Sequence, residues 1–412
     1  MTATTDVVVV GGGIMGMSIA WQVARRSSLR IVVLDKGTGL GEGSTGASSA
    51  ITRQRYTRVE NIRIARDANA IFRNWADYTG LAEPRARNHP VGVLWMLDDD
   101  PVAVAADRDR LVAEGVRAVV LDADELRDRF PALSPCLAPF DLTGETPHEC
   151  RPGEAFLLEE DAGYFDPTGA LEDLAEACRR AGVDVRLRTE VVGIDVEGGR
   201  VRGVRLADGT RIAAPWVVNA AGPWCNRINA LAGLDLSWPL VPTRVQVLHR
   251  DLPPEVPRPI PVVGDGSGGI YFRPEAGDQQ LICGSILEED EREEVDPDEL
   301  RRVADRAFVD TKIHALHHRI PDLPHRGRLG GIAGLYTVNR LDVLPVVGPT
   351  ELEGFVVANG FSGHGFKESP MIGAMVARYL TGERLADDTE VPISFFAVDR
   401  EPYELEGKNV LA

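Results

Sequence analysis

The clearest pattern of apolar and polar positions lies at the start of the chain. Residues 7–10 are four consecutive valines with no polar alternation, the pattern of a strand buried on both faces of a parallel sheet. Gly11, Gly13 and Gly16 follow as G-x-G-x-x-G. A helical stretch comes next, and then a second apolar run, Ile31 to Leu34, ends at Asp35. Strand, glycine-rich turn, helix, strand and terminal acid in this order predict a dinucleotide-binding βαβ unit. The glycines allow a tight turn, backbone approach to a pyrophosphate and close helix packing. The helix N-terminus faces the phosphates, and the Asp35 carboxylate can accept from a ribose hydroxyl.

The same reading carried along the chain predicts a helix over 59–78 with Ile64, Ala68, Ile71, Phe72 and Trp75 on one face. The α/β pattern lapses over 84–150 and returns at Asp166, where Thr168 can cap a helix ending near Gly182. Strands are expected at 183–187, 191–196 and 201–206, with Gly198-Gly199 and Asp208-Gly209 as turns. Residues 216–223 read as a buried strand that ends in small residues, where a ligand can approach backbone closely. Short strands at 241–248, 269–273 and 280–285 precede a charged helix around 297–318. A last α/β unit has a strand at 355–358, a glycine-rich loop at 360–365 and a helix from about 369 to 380. Two interleaved domains follow: a nucleotide-binding domain at 1–85, 150–228 and 330–390, and a substrate-binding domain at 86–149 and 229–329. Residues 391–412 read as a surface tail.

The composition suits this picture. The chain has 412 residues, 44% of them hydrophobic and 26% charged, enough for a large core in two domains. The net charge of −18 argues against nucleic acid and anionic membrane surfaces as partners, though not against an anionic substrate. No apolar run reaches membrane-spanning length, and the N-terminus lacks the basic start of a secretory signal, so a cytoplasmic location is expected. Five scattered cysteines without a C-x-x-C predict neither a disulfide framework nor a zinc site, and Cys178 falls on an apolar stripe. His314, His317 and His318 have helical spacing but no carboxylate partner, so a polar helix face is expected and no bound metal. No serine or cysteine stands in a nucleophile-elbow context.

The Gly37–Ser49 segment follows the second strand and offers Ser44, Thr45, Ser48 and Ser49 as phosphate-side donors, or else is a flexible surface loop. Two later features turn the dinucleotide towards a flavin. The first is residues 190–222, a hairpin rich in Gly and Val followed by the small-residue strand end at 217–222. The second lies far along the chain, where Gly360 to Lys367 brings a glycine-rich loop to a helix N-terminus, which can stabilise negative charge on a ring. A nicotinamide protein has no need of this third segment, although an opine-type NAD dehydrogenase with Asp35 on the ribose remains an alternative.

With residues 7–16, 43–49, 218–224 and 363–367 together, the chain resembles the D-amino-acid-oxidase superfamily, closest to its sarcosine, dimethylglycine and glycine oxidase branch, over about residues 5–385. The resemblance implies an α/β fold. A Rossmann-type FAD-binding domain would be interleaved with an α+β substrate domain built on a mainly antiparallel sheet. It implies oxidation of the C–N bond of an amino acid or N-alkyl amino acid by hydride transfer to flavin, imine hydrolysis, and reoxidation by O2 or by an electron-acceptor protein. The expected partners are a small amine or amino acid, with the chain a monomer or homo-oligomer. FAD contacts are implied for Ile14, Met15, Lys36, Val191, Ala220, Ala221, Gly222, Trp224, Gly334, Gly363, His364, Gly365, Phe366 and Lys367, besides the glycines, Asp35 and the loop hydroxyls.

Lys367 matches a family lysine that grips the substrate carboxylate, and Arg53 or Arg55 lies where the family places cations beside flavin and substrate. Tyr336 matches a substrate-side tyrosine or is core packing. His364 acts at the site or orients its loop through backbone bonds. The chain also departs from the family. Gly334 replaces a flavin-linking cysteine and residues 44–56 hold no histidine, so non-covalent FAD is expected. Ile282 and Ile286 stand at the family's oxygen-side lysine and substrate-side histidine, which suggests an apolar wall with room for a bulkier N-substituent.

Overall fold

The computed structural model describes residues 2–97, 100–139, 141, 145–275 and 277–404. Val7–Val10 and Ile31–Leu34 are fully buried strands, as their lack of alternation requires, and pair in parallel with Val10 opposite Leu34. They lie inside a six-stranded sheet in the order Val346–Pro349, Phe355–Asn359, Trp216–Asn219, Val7–Val10, Ile31–Leu34, Asp184–Arg186. Every neighbouring pair is parallel except the first. Asn219 pairs with both Val10 and Val357, so the carboxyl ends of three strands from distant parts of the chain share one edge. A ligand of an open α/β sheet binds at such an edge. Helices Ile14–Ala24, Val59–Arg73, Pro167–Arg180 and Gly365–Thr381 pack one core on this sheet. A second core joins its other face to a small sheet of Thr2–Thr4, Arg211–Ala213, Arg200–Leu206 and Val191–Glu197.

The second large element is an eight-stranded sheet: Leu329–Asn339, Leu240–Asp251, Gln280–Ser285, Ile270–Glu275, Val262–Asp265, Val93–Met96, Phe156–Glu159, Ala118–Leu121. It is antiparallel except where Val262–Asp265 meets Val93–Met96. Helix Arg306–Arg319 covers one face and helix Pro101–Ala113 the other. Phe156–Glu159 and Leu329–Asn339 are strands of this sheet, although the sequence boundaries put them in the nucleotide domain. Their apolar content is the same in either place, and only pairing assigns them.

Local chemistry corrects three further expectations. The 59–78 helix breaks at Asn74 into Val59–Arg73 and Trp75–Thr79. Asp166, not Thr168, caps Pro167–Arg180, its Oδ1 accepting from the Gly169 N–H at 3.0 Å. The described part of the tail is no mere surface wrap. Val391, Phe395 and Phe396 enter the main core, and Arg400 pairs with Asp342. Residues 405–412 of that expected tail lie outside the described residues. Among the described residues no helix is long and apolar enough to cross a membrane.

Candidate active site

Two connected cavities lie where the sheets meet. The larger, about 610 Å³, opens along the carboxyl edge of the six-stranded sheet. Its floor is the first βα turn. Gly11 has a φ of +109°, and a Cβ there would stand 2.3 Å from the Ala220 carbonyl oxygen. A Cβ on Gly16 would stand 1.9 Å from the Gly11 carbonyl oxygen, so this glycine seats the helix on the strand and does not face the cavity. Helix Ile14–Ala24 has no side-chain cap at Gly13. Thr45 Oγ1 instead reaches across to accept from the Ile14 N–H at 3.0 Å. Asp35 is braced by the N–H groups of Gly12 and Gly37, both donating at 2.7 Å, with its carboxylate in the wall.

Gly13, Ile14, Met15, Lys36, Ser44, Ser48, Val191, Ala220, Ala221, Gly222 and Trp224 join the lining, and Gly363, Gly365 and Phe366 close the far end. The far loop is held by its neighbours. Ser362, at a φ of +47°, donates its N–H to Thr337 O at 2.9 Å and accepts from the Asn339 N–H at 3.0 Å. The helix beyond begins at Gly365, four residues earlier than the sequence pattern suggests, so Lys367 lies in its first turn rather than in a loop.

The mouth of this cavity carries a strap that the motifs do not reveal. Residues 296–302 cross from the other sheet, and Asp298 accepts from Lys36 at 2.6 Å and Trp224 Nε1 at 2.8 Å while pairing with Arg227. These donors, the Lys36 hydrogen bond foremost, hold the Asp298 carboxyl well below the usual carboxylate range. Lys36 also stands 4.3 Å over the Trp224 ring.

The smaller cavity, about 60 Å³, lies against the inner end of the larger. Ser48, Tyr336, Gly363 and Phe366 line both. Arg53 and Lys367 supply its cations, and Val93, Trp95, Val262 and Val263 its apolar wall. Lys367 is 6% exposed, with Nζ 3.4 Å from Gly363 O. Burial first, then the Arg53 charge, draws its pKa down to about 7. Burial pushes the adjacent Glu368 carboxyl up to about 7, against the opposing pull of Lys367. Arg53 sits 4.0 Å over the Tyr56 ring and donates to Arg55 O. Buried Glu159 faces it electrostatically and accepts from Trp95 Nε1 and the Gln54 N–H. Tyr336 and Tyr271 line the small cavity together, the Tyr271 hydroxyl meets Ser49 Oγ at 2.8 Å, and burial raises the Tyr336 pKa far above the usual phenol value.

Several expected site residues stand elsewhere. Arg55 pairs with Asp107 beside Trp95 and reaches neither cavity. His364 lies behind its loop, edge-on to Tyr56 at 5.4 Å, its backbone N–H bonded to Phe361 O. Ser49 faces Tyr271 rather than the phosphate side. Gly334 points at Ala47, where a Cβ would lie 2.8 Å from that methyl. Ile282 and Ile286 are buried in the large sheet's layer and line neither cavity; the apolar wall exists, but other strands build it. Sequence reasoning missed Trp95, Tyr271, Glu368 and Glu159. Only Glu159 left a signal, as the first of three acids that end the apolar run Phe156–Leu158.

The residues present fit a dinucleotide: a helix start whose own N-cap residue is a glycine without a side chain, a glycine cradle that any Cβ would fill, and a braced carboxylate at one end of a long lining. Comparison with known proteins agrees. The chain is 28% identical over 417 residues to FAD-dependent oxidoreductase domain-containing protein 1 of Xenopus laevis, covering 91% of this chain and 79% of that one. It is 24% identical to mitochondrial dimethylglycine dehydrogenase of Mus musculus, over 91% of this chain and 42% of that protein. Its fold superimposes on L-proline dehydrogenase from P. horikoshii with a TM-score of 0.80 at 25% identity, covering 97% and 98% of the two chains. Glycine oxidase from Geobacillus kaustophilus gives 0.79 at 22% identity over 97% of this chain and 99% of that one. The FAD dependent oxidoreductase family (DAO) matches residues 6–379, which sets aside the nicotinamide alternative: this chain is a member of the DAO family of FAD-dependent oxidoreductases.

Proposed function

We propose that this enzyme oxidises the C–N bond of a small secondary amino acid, an N-substituted glycine or a near relative. FAD is held without a covalent link, the imine is hydrolysed, and dioxygen is reduced to hydrogen peroxide. The observation that carries this reading is the small cavity. It is lined by two cations and by an apolar wall, and has four residues in common with the large cavity. Oxidation takes a hydride equivalent from carbon and a proton from nitrogen, and FAD when bound supplies the two-electron acceptor. Arg53 and Lys367 neutralise and orient a carboxylate, and Tyr336 offers its hydroxyl beside them. Trp95, Val93, Val262 and Val263 receive the N-substituent and keep water from it. A solved relative named for proline and a curated one named for dimethylglycine support this substrate class. Among the described residues, the large cavity's lining contains no cysteine or histidine, which supports a non-covalent cofactor.

The test is anaerobic reduction with sarcosine, longer N-alkylglycines, proline and glycine, followed by readmission of oxygen. The secondary amino acids should bleach the flavin absorbance, and oxygen should then restore it with peroxide formed. Bleaching by primary amino acids alone overturns the substrate class. The relatives named as dehydrogenases favour a second reading, a flavoprotein that hands electrons to a protein acceptor. Bleaching without peroxide on return of oxygen selects it.

A further inference from the structure

On the face of the eight-stranded sheet that carries helix Arg306–Arg319, three side chains that the motifs leave unused come together. Cys136 Sγ lies 3.3 Å from His148 Nε2. The ligand atoms of Cys136, His148 and His318 all lie within 4.8 Å of one another. The His148 and His318 rings meet at 4.5 Å and 90°. Cys150 follows His148 by two residues on the same leg and is exposed. We infer that Cys136, His148 and His318 form the preassembled part of a structural site for a zinc-class divalent cation, with Cys150, two residues beyond His148, closing on the ion as the fourth ligand.

The donor set decides the metal class. Two sulfurs and two imidazoles with no carboxylate among them suit a borderline-soft, tetrahedral ion and not calcium or magnesium. With Zn–S near 2.3 Å and Zn–N near 2.0 Å, a tetrahedral site puts sulfur and nitrogen about 3.6 Å apart, close to the observed separation. The frame holding two of the ligands is rigid. Ser134 donates its N–H to Arg319 O at 2.9 Å, Arg319 donates to Ser134 O, and Arg319 is locked to Asp265 at 2.8 Å with neither side chain exposed. Cys136 and His318 each stand beside that clamp. The other two ligands come from the return leg of the 130–155 connection, where Cys136 bridges Pro152 as an isolated β-pair. Among its described residues this connection has little regular structure to hold it, and a cross-link to the helix supplies that hold. The remaining cysteines, 178, 225 and 283, are buried elsewhere. His317 of the helical trio is engaged elsewhere, stacking on His325 at 4.3 Å. Binding displaces two thiol protons to solvent and needs no redox partner.

The experiment uses the full-length, flavin-loaded protein, purified with a phosphine reductant and without chelator. Its metal content is measured before and after incubation with zinc. About one zinc per chain is expected, with X-ray absorption showing sulfur near 2.3 Å and nitrogen near 2.0 Å. Cys150 is exposed, so Cys150→Ser removes a ligand without opening the core. It should weaken zinc binding ~10-fold or more while flavin content holds. Chelation of the wild type should lower its melting temperature with the flavin spectrum unchanged. Three results overturn the inference: under a tenth of an equivalent of zinc after incubation, equal zinc in Cys150→Ser and His318→Ala, or a Cys136–Cys150 disulfide whose reduction is followed by no zinc uptake.

Discussion

Replacing Lys367 by Met separates carboxylate binding from every other role of that helix turn. The side chain is 6% exposed, lines the small cavity and does not line the large one. Methionine keeps the unbranched stem and removes only the charge. Truncating one partner of a buried, hydrogen-bonded charge pair costs about 2–5 kcal/mol, and Arg53 remains as a second cation, which places this variant near the low end. A loss of about 2–3 kcal/mol raises the substrate dissociation constant about 30- to 150-fold. Acetate, which carries the carboxylate and nothing else, should lose affinity by the same factor. The assay is anaerobic titration of the flavin spectrum with acetate, alongside stopped-flow reduction by substrate. Flavin content should match the wild type. Unchanged acetate affinity with a slower limiting reduction rate would refute the carboxylate role. Loss of flavin would show that the turn belongs to the large cavity instead.

The other predictions concern the same two cavities. Lys367 and Glu368, each placed at about 7, go from net positive to net negative as pH rises, whichever proton leaves first. Acetate affinity should therefore be full below that window and fall as pH rises from about 6 to about 9, with Arg53 leaving a remainder; a flat or rising profile sinks the assignment. Gly16→Ala drives a methyl to within 1.9 Å of the Gly11 carbonyl oxygen, so the helix must leave the strand and the purified variant should hold under half the wild-type flavin, read from the flavin-to-protein absorbance ratio; full flavin would contradict that packing. Asp298→Asn loosens the strap over the large cavity. With that side chain 48% exposed the loss is about 1 kcal/mol, or about 5-fold weaker FAD, measurable by flavin fluorescence released on dilution, and an unchanged constant would mean the strap does not hold the cofactor.

Much of the nucleotide half was legible because its signals are local. Val7–Val10 must be covered on both faces, Gly11 must take a positive φ, and Asp35 must end a strand, whatever the rest of the chain does. The small cavity was half legible. Lys367 and Arg53 stood in the right short segments, but Arg55 had equal standing by sequence and lost its place to Asp107, a residue 52 positions away. Ile282 and Ile286 illustrate the opposite error. Their apolar character correctly foretold a wall, while the pairing of Val262–Asp265 with Val93–Met96 decided which side chains build it.

What the amino-acid order determined by itself was therefore everything that short-range sterics and period dictate: the βαβ cradle, the capped and amphipathic helices, and the family. What only the tertiary structure decided was which distant groups meet. Strand register set the shared edge of Asn219, Val10 and Val357. Sheet order moved Phe156–Glu159 and Leu329–Asn339 across the expected boundary. One helix end brought His318 to Cys136. The physical reason is that pairing and packing energies depend on contacts between segments scores of residues apart, and composition and spacing within a segment carry no record of its partner.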